Sequence, residues 1–385
     1  MKRPVAAFAA FLLSLSLVSV AVAQSLPAPA IAAKSWLLLD AGSGQVLAAQ
    51  DPARRIEPAS LAKIMTTYLV FQALQDKRIT MEQSVTVSTR AWKTASDGSK
   101  MFIDPKTPVT IKDLLYGLIV SSGNDAAVAL AEAVSGSEDT FVAQMNKAAQ
   151  DMGLKNTRFA NAHGLPSAEN YSTAQDLALL TDRLVNDFPE YYKIFAVKSY
   201  TYNRITQQNR NRLLWLDPSV DGVKTGHTQA AGYCLIASAR RPNGKSGERR
   251  LISVVIGATS DSVRSQESQK LLNWGFLNFD TVKLYAKGQP VLTPPVWKGS
   301  QSEVKLGFDH DVYVTVPKGA AERIKPVVER REPLVAPIPE HMRVGTMKLM
   351  DEGKTIAEVP LVTLEPVSQA TIFGRAWDSL RLWIK

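Results

Sequence analysis

Strand-like segments lie on both sides of a long helical region, and this order of elements limits the possible folds most. Residues 35–50, "SWLLLDAGSGQVLAAQ", have the pattern of a strand, a glycine turn and a second strand. Helical periodicity dominates from about residue 60 to 190, and strand-like runs return at 222–226, 232–240 and 251–258. We expect the two sets of strands to join in one sheet covered by the helices, which is an α/β fold.

Near residue 280 the pattern changes to short alternating runs with several prolines and turn residues. Runs such as "DVYVTV" and "KTIAEVPLVTL" are typical of strands, so we predict a small all-β domain over residues 280–365. The larger domain is predicted to cover residues 24–279. Residues 366–385 differ from both and are predicted to form a separate C-terminal helix.

The first 23 residues have the composition of a secretory signal peptide. Lys2 and Arg3 come first, an apolar Ala/Leu/Val run follows, and Ala21-Val22-Ala23 fits cleavage after Ala23. A retained membrane anchor is the alternative, because the run is near the length that spans a bilayer. Both interpretations place the body of the chain outside the cytoplasm.

Composition excludes several classes of function. The formal net charge is +9, but no basic run is interleaved with aromatic residues, so nucleic acid is not an expected partner. The single cysteine, Cys234, allows no intramolecular disulfide, and its apolar strand-like surroundings predict a small buried residue. The four histidines are widely spaced and form no H-E-x-x-H motif, so we expect neither a metal site nor a cofactor.

The stretch "EPASLAKIMTTYLVFQAL", residues 57–74, places a serine and a lysine at the start of an apolar helical pattern. Positions i and i+3 share one face of a helix, so Ser60 and Lys63 are expected to be neighbours at the helix N-terminus. An S-x-x-K motif alone often arises by chance. It equally fits a helix-start serine followed by a surface lysine.

Two further short motifs follow in the chain. Ser122-Gly123-Asn124 lies between two predicted helices, and Lys224-Thr225-Gly226 lies at the start of a strand-like run. Each alone is typical of a turn or a hairpin edge. All three motifs, in this order and in an exported α/β chain, resemble those of the serine penicillin-binding proteins and β-lactamases.

More of the chain resembles one branch of that group, the low-molecular-mass D-alanyl-D-alanine carboxypeptidases. The strings that carry this resemblance include "SSGNDAAVALAE", "NAHGLPSAENYSTAQDLALL" and "NRNRLLWLDPSVDGVKTGHTQAAGYCLIASA". Together they cover nearly everything after the signal-like segment. The resemblance implies an antiparallel sheet flanked by helices, with an all-helical subdomain beside the active site. It also implies peptidoglycan pentapeptides ending in D-Ala-D-Ala as substrates and acylation by β-lactams.

The resemblance assigns the catalytic roles to three residues. Ser60 would be the nucleophile that forms an acyl-enzyme, Lys63 its base, and Ser122 the group that passes the proton to the leaving amine. A serine hydroxyl needs such a base, and a lysine can serve only when it is neutral. Burial and a nearby cation lower a lysine pKa, and we expect Lys224 to be that cation.

The resemblance also implies a set of substrate-binding residues: Asn124, Arg210, Lys224, Thr225, Gly226 and His227. The Asn124 amide would hold either the substrate or Lys63. The backbone N–H groups of Ser60 and His227 would form the oxyanion hole, and Lys224 and Thr225 would bind the terminal carboxylate. Arg210 is a second cation for that carboxylate. Arg212 stands where the family string has glycine, so either arginine could serve.

Two other segments could contribute to the site. Asp176 is expected to be an acid at a helix start, with a role in directing water for deacylation as the alternative. The segment 88–104, "STRAWKTASDGSKMFID", is predicted to be loop-like and is either a lid beside the site or a plain surface loop.

Three functions compete on this scaffold. The first is an exported serine DD-carboxypeptidase. The second is a DD-endopeptidase or a weak β-lactamase. The appended β domain and the membrane-docking tail argue against a freely diffusing β-lactamase. The third is a penicillin-binding or cell-wall-binding protein without turnover, which fits the three intact motifs poorly.

The C-terminal residues 367–385 have an amphipathic pattern at about 100° per residue. One side would carry Ile372, Phe373, Ala376, Trp377, Leu380, Trp383 and Ile384, and the other Arg375, Asp378, Arg381 and Lys385, with Leu382 as the one misfit. This pattern is too charged to span a bilayer and suits a helix in the membrane interface. The alternative is a helix packed on the β domain. The predicted location is therefore the periplasm, at the outer face of the inner membrane.

Overall fold

The structure is a computed structural model that describes residues 26–96, 98–243 and 247–384. The predicted signal peptide, residues 1–23, lies outside these residues. The helices of the described residues are α1 (Lys63–Gln75), α2 (Thr89–Thr94), α3 (Ile111–Ile119), α4 (Asn124–Ser135), α5 (Glu138–Asp151), α6 (Ala174–Asp187), α7 (Pro189–Tyr192), α8 (Leu213–Leu216), α9 (Asp261–Asn278) and α10 (Ile372–Ile384).

The strands of the larger domain are β1 (Ser35–Asp40), β2 (Val46–Gln50), β3 (Ser84–Val85), β4 (Val109–Thr110), β5 (Ser199–Tyr202), β6 (Ile205–Gln208), β7 (Val220–Thr228), β8 (Gly232–Pro242) and β9 (Glu248–Ala258). Those that follow are β10 (Phe279–Tyr285), β11 (Val296–Trp297), β12 (Leu306–Gly307), β13 (Val312–Pro317), β14 (Lys325–Arg330), β15 (Leu334–Val335), β16 (Arg343–Asp351) and β17 (Lys354–Thr363).

The main sheet joins strands from the two ends of the larger domain. Its order is β2-β1-β9-β8-β7, and all neighbouring strands are antiparallel. The register pairs Leu38 of β1 with Ser253 of β9, and Ala237 of β8 with the same serine. The predicted α/β fold with one antiparallel sheet is confirmed. Strand β7, which carries Lys224-Thr225-Gly226, forms an edge of this sheet.

Both faces of the sheet are covered, because side chains along each strand alternate between two cores. On β9, Ile252 and Val254 belong to the core that includes α1, whereas Leu251 and Val255 belong to the core under α9. The strand sequence "LISVVIGA" is apolar at nearly every position for this reason.

Helix α1 packs against α3, α4, α5 and α6. The sequence predicted an apolar stripe on this helix, but every residue from Lys63 to Leu74 except Gln72 is buried. Neighbouring helices surround α1, so its polar positions are buried too. Ser60 precedes the helix in a 3₁₀ turn, Ala59–Ala62, and does not lie in the first α-helical turn that the sequence predicted.

The β strands after α9 have a core of their own, which includes Val314, Leu349 and Leu361. This β unit contacts the larger domain through the turn between β1 and β2. There the Gln45 side chain bonds the backbone of Thr315, accepting its N–H at 2.6 Å. The hydroxyls of Ser43 and Thr315 are 2.7 Å apart.

Helix α10 begins at Ile372, whereas Val367 is 1% exposed and pairs with Ile338 in the β unit. Ile372, Phe373 and Trp377 are exposed, as are Ala376 and Ser379. The structure does not describe the side chains of residues 380–384 or any part of Lys385, which the predicted amphipathic pattern includes. Within the described part of the chain, no helix is both long enough and apolar enough to cross a bilayer.

Candidate active site

Ser60 and Lys63 are in contact at the start of α1. The Lys63 Nζ donates to the Ser60 Oγ at 3.0 Å. In a 3₁₀ turn, residues i and i+3 lie above one another, which brings these two side chains together. Ala59, directly before the serine, has a φ of 49°. A non-glycine residue in this region is uncommon and marks a backbone that the surrounding structure holds in place.

Lys63 is a buried lysine with three acceptors among the residues that the structure describes. Besides Ser60, its Nζ donates to the Asn124 side-chain oxygen at 2.8 Å and to the backbone oxygen of His163 at 2.6 Å. Burial lowers the pKa of Lys63 to about 7, helped by the positive charge of Arg210 and opposed by the carboxylate of Asp125. In a large fraction of the molecules the Lys63 amine is therefore neutral near pH 7.

Ser122 and Lys224 form a second contact beside the first. The Lys224 Nζ donates to the Ser122 Oγ at 2.8 Å, and Ser122 has a φ of 61°. Burial, with the charges of Lys63 and Arg210, holds the pKa of Lys224 well below its usual value. Arg210 lowers the pKa of both lysines, and the charge of Lys63 also lowers the pKa of Lys224. The two lysines are therefore electrostatically coupled, and Arg210 is a further cation that the sequence did not assign to this effect.

The two serines, Ser60 and Ser122, line a cavity of about 360 Å³. Its lining residues are Ser60, Gly98, Ser99, Ser122, Arg210, Thr225, Gly226, His227, Tyr233 and Arg264. Counted over the described residues, the lining carries two guanidinium groups and no carboxylate. A cavity of this charge fits an anionic ligand.

Gly226 allows strand β7 to approach the serine segment closely. A Cβ at this position would lie 3.3 Å from the Pro58 oxygen and 3.2 Å from Leu61. His227, the next residue, is exposed, and its ring lies 4.2 Å from that of Tyr233. Glycine in this motif therefore has a packing reason, since a side chain would push the strand away from Ser60.

The structure distinguishes the two arginines that the sequence left open. Arg210 lines the cavity. The Arg212 guanidinium instead lies 3.6 Å from the Asp261 carboxylate, and Arg212 is not among the lining residues.

Comparisons with known proteins agree with this geometry. Residues 21–260 match the D-alanyl-D-alanine carboxypeptidase family model, and residues 279–369 match the model of the C-terminal domain of penicillin-binding protein 5. The D-alanyl-D-alanine carboxypeptidase DacC of Escherichia coli K12 is 44% identical over 382 residues, covering 98% of this chain and 94% of that protein.

The chain belongs to the D-alanyl-D-alanine carboxypeptidase family. This confirms the resemblance predicted from the three motifs.

Solved structures of this family also match. Penicillin-binding protein 5 from Haemophilus influenzae has a TM-score of 0.84 and 43% identity, over 89% of this chain and 100% of that chain. Penicillin-binding protein D2 from Listeria monocytogenes, in the cefotaxime-bound form, has a TM-score of 0.59 and 28% identity, over 65% of this chain and 100% of that chain.

Sequence reasoning missed the His163 backbone oxygen, because a carbonyl acceptor carries no residue-type signal. The neighbouring Gly164 was a signal in the sequence that the backbone at this point could lie close to another segment. It has a φ of 83°, and a Cβ there would lie 1.8 Å from the Ala59 oxygen. The loop around His163 is thereby pressed against the serine segment.

Arg264 of α9 was also missed. It is buried, and its Nη1 donates to the backbone oxygen of Gly226 at 3.2 Å. Its Nη2 bonds the Asp261 carboxylate. This arginine thus ties α9 to the motif on β7.

The segment 88–104 is only partly the predicted loop. Residues Thr89–Thr94 form α2, because the Ser88 hydroxyl caps the helix by accepting the Ala91 N–H at 3.0 Å. Gly98 and Ser99 line the cavity, so part of the segment does border the site. Asp97 lies outside the described residues.

Asp176 is placed as the predicted acid at a helix start. Its Oδ2 accepts the Asn156 N–H at 2.8 Å and the Thr157 hydroxyl at 2.7 Å, and it does not line the cavity. Cys234 is buried as predicted, and burial raises the pKa of its thiol to about 11.

Proposed function

We propose that this chain is a serine-type D-Ala-D-Ala carboxypeptidase that removes the terminal D-alanine from peptidoglycan pentapeptides. The observation that carries the proposal is the contact of the Ser60 hydroxyl with Lys63, a buried lysine whose pKa is about 7. A neutral amine at 3.0 Å from a hydroxyl is placed to take its proton.

Acylation begins when the Ser60 Oγ attacks the carbonyl carbon between the two D-alanines while its proton moves to the Lys63 Nζ. The negative charge that develops on the carbonyl oxygen is met by the backbone N–H groups of Ser60 and His227. Donors aimed at that oxygen stabilise the transition state, each by about 3 kcal/mol.

Collapse of the tetrahedral intermediate breaks the C–N bond and leaves an ester on Ser60. The amine of the departing D-alanine takes a proton from Lys63 through the Ser122 hydroxyl, which lies beside Lys224. Water then attacks the ester carbonyl and gives one of its protons to the Lys63 Nζ. The bond between the carbonyl carbon and the Ser60 Oγ breaks, the shortened peptide leaves with the hydroxyl of the water, and Lys63 passes that proton to the Ser60 Oγ. Asn124 holds the Lys63 side chain in place throughout.

The free carboxylate of the substrate is bound by the cationic part of the cavity. Lys224 and the Thr225 hydroxyl are two partners and Arg210 is the third, since Arg210 lines the cavity and Arg212 is paired with Asp261. Charge-assisted hydrogen bonds of this kind select peptides with a free C-terminus.

The same serine is proposed to be acylated by β-lactams, whose amide carbonyl lies beside a carboxylate as in D-Ala-D-Ala. The relative from Listeria monocytogenes has been described in cefotaxime-bound and ampicillin-bound forms, which supports this extension.

A comparison of three substrates tests the function. Purified protein is expected to release D-alanine from a soluble peptide ending in D-Ala-D-Ala, and a Ser60→Ala variant to release none. A faster cleavage of a cross-linked peptide dimer would instead identify an endopeptidase, and rapid turnover of penicillin a β-lactamase. Binding of penicillin without release of D-alanine would identify a protein without turnover.

We also propose that the protein is exported and lies at the outer face of the inner membrane. The signal-like N-terminus supports export. The tail supports attachment, because exposed Ile372, Phe373 and Trp377 form an apolar side of α10. The opposite side contacts the β unit, where the Asp378 carboxylate accepts the Lys298 N–H at 2.6 Å. An apolar helix face that points away from the protein suits the membrane interface.

The domain division is part of the same proposal. A catalytic domain up to residue 279 would be held away from the membrane by the β domain. Because Val367 is buried in that domain and the Ala370 N–H donates to the Lys298 oxygen at 2.8 Å, we propose that the domain ends after Ala370 and not at residue 365.

A further inference from the structure

The Asp125 carboxylate lies directly after the Ser122-Gly123-Asn124 motif and is completely buried. Its oxygens accept the backbone N–H of Met101 at 3.0 and 3.1 Å and that of Phe102 at 3.0 Å. The N–H of Ile103 lies 3.4 Å from the same carboxylate. Successive N–H groups that converge on one anion form a nest, which stabilises a buried negative charge.

The nest requires an unusual backbone at Phe102. This residue has a φ of 72°, a region that bulky side chains rarely adopt. Its side chain is 39% exposed, so packing in a core does not account for the conformation. The strained turn directs its N–H at Asp125, and strain of this kind is retained where neighbouring contacts enforce it.

The residues held in this way continue into the wall of the cavity. We call residues 98–103 the wall segment, since Gly98 and Ser99 line the cavity. The Ser99 oxygen accepts the Asn124 N–H at 2.8 Å. Two adjacent residues at the start of α4 therefore hold the wall segment, and one of them, Asn124, also accepts a hydrogen bond from Lys63.

We propose that Asp125 is a positioning residue of the carboxypeptidase reaction, which holds the wall segment against the cavity and supplies the anionic neighbour of the Lys63 base. The inference rests on the proposed function. Among the residues that the structure describes, the titratable and charged groups that face Lys63 are Asp125, Arg210, Lys224 and His163, and Asp125 also faces Tyr202. Of these, only Asp125 favours the charged form of Lys63 by its own charge.

The test is Asp125→Asn, which keeps the shape of the side chain but removes its charge and turns one acceptor into a donor facing N–H groups. The pH profile of acylation by penicillin is measured on the full chain. We expect the maximal rate to fall about 10- to 100-fold, as misplacement of a site wall by an ångström can cause. We also expect the midpoint to move to lower pH, because loss of the carboxylate lowers the pKa of Lys63 further.

The acceptors of the Lys63 ammonium are Ser60, Asn124 and His163, and none belongs to the wall segment. Release of that segment therefore removes no acceptor of Lys63, and the shift of the midpoint reports the loss of the Asp125 charge. The matched control is Asp217→Asn, which removes another buried carboxylate that accepts a backbone N–H, from Ser219 at 2.9 Å, before the start of β7. It is expected to lose stability without a change in maximal rate or midpoint.

Asp125→Asn protein that is folded but keeps either the wild-type rate or the wild-type midpoint overturns the proposal. If that variant does not fold, hydrogen exchange of the wild-type protein decides. The Met101 and Phe102 amides should exchange as slowly as those of α4, and exchange as fast as in exposed loops overturns the proposal. Wild-type protein that is not acylated refutes the proposed function as well, whereas acylated wild type with an unaltered variant refutes only the role of Asp125.

Discussion

The rate of acylation should rise with pH and then level off, because Lys63 must be neutral to accept the proton of Ser60. Burial and the charge of Arg210 lower the pKa of Lys63 to about 7. Each pH unit changes the ratio of neutral to charged lysine tenfold, so roughly a tenth of the molecules are active at pH 6 and roughly nine-tenths at pH 8. The rate constant for acylation by penicillin is therefore expected to increase about tenfold over this interval.

Arg210→Gln tests the cause of the low pKa. Removing a positive charge near Lys63 favours its ammonium form, so the pKa of Lys63 rises and the midpoint of the profile moves to higher pH. Arg212→Gln is the matched control, because that guanidinium pairs with Asp261 outside the cavity lining. Its midpoint should remain that of the wild type.

The assay is rapid quenching of the penicillin reaction at constant ionic strength, with the adduct measured by mass spectrometry at each pH. A rate that continues to rise tenfold per pH unit beyond pH 8 would mean that Lys63 has the ordinary pKa of a lysine. An unmoved midpoint in Arg210→Gln would remove the electrostatic explanation. Either result refutes the reasoning.

Three further predictions follow from the geometry. Lys224→Ala should make the rates for a peptide acid and its amide converge, since it removes a partner of the carboxylate; equal losses on both would mean that Lys224 acts otherwise. Gly164→Ala should lower the free energy of unfolding by about 1–3 kcal/mol and slow acylation, because the new Cβ would lie 1.8 Å from the Ala59 oxygen. Gly153→Ala is the control and should keep the wild-type rate, since no described residue beyond its chain neighbours would lie within 4 Å of the new Cβ. Truncation after Ala370 should abolish binding to anionic vesicles while peptide turnover stays unchanged, and a truncated protein that still pellets with vesicles would refute the membrane role of the tail.

The sheet and the helical region between its strands could be predicted because their signals are local. The strand–turn–strand pattern of residues 35–50 and the apolar runs that became β7, β8 and β9 are each visible in a short stretch of sequence, and the structure joins them in one sheet as expected. The 3₁₀ turn at Ser60 could not be predicted in this way. Its conformation depends on contacts with β7 and with Gly164, which lie far away in the sequence.

Site residues could be predicted where they belong to a recognisable sequence motif. They could not be predicted where their contact with the site depends on how a distant loop or helix folds back onto it. Ser60, Lys63, Ser122 and Lys224 were found from their motifs. The His163 carbonyl and Arg264 reach the site through a loop and a helix that carry no motif for it. The choice between Arg210 and Arg212 likewise required the structure, because it depends on which side of a short turn faces the cavity.

Mass spectrometry of the protein after reaction with penicillin tests the central claim most directly. Peptide mapping of the trapped adduct should place it on Ser60, and Ser60→Ala protein should remain unlabelled under the same conditions. An adduct on another serine, or undiminished labelling of the Ser60→Ala variant, would contradict the account.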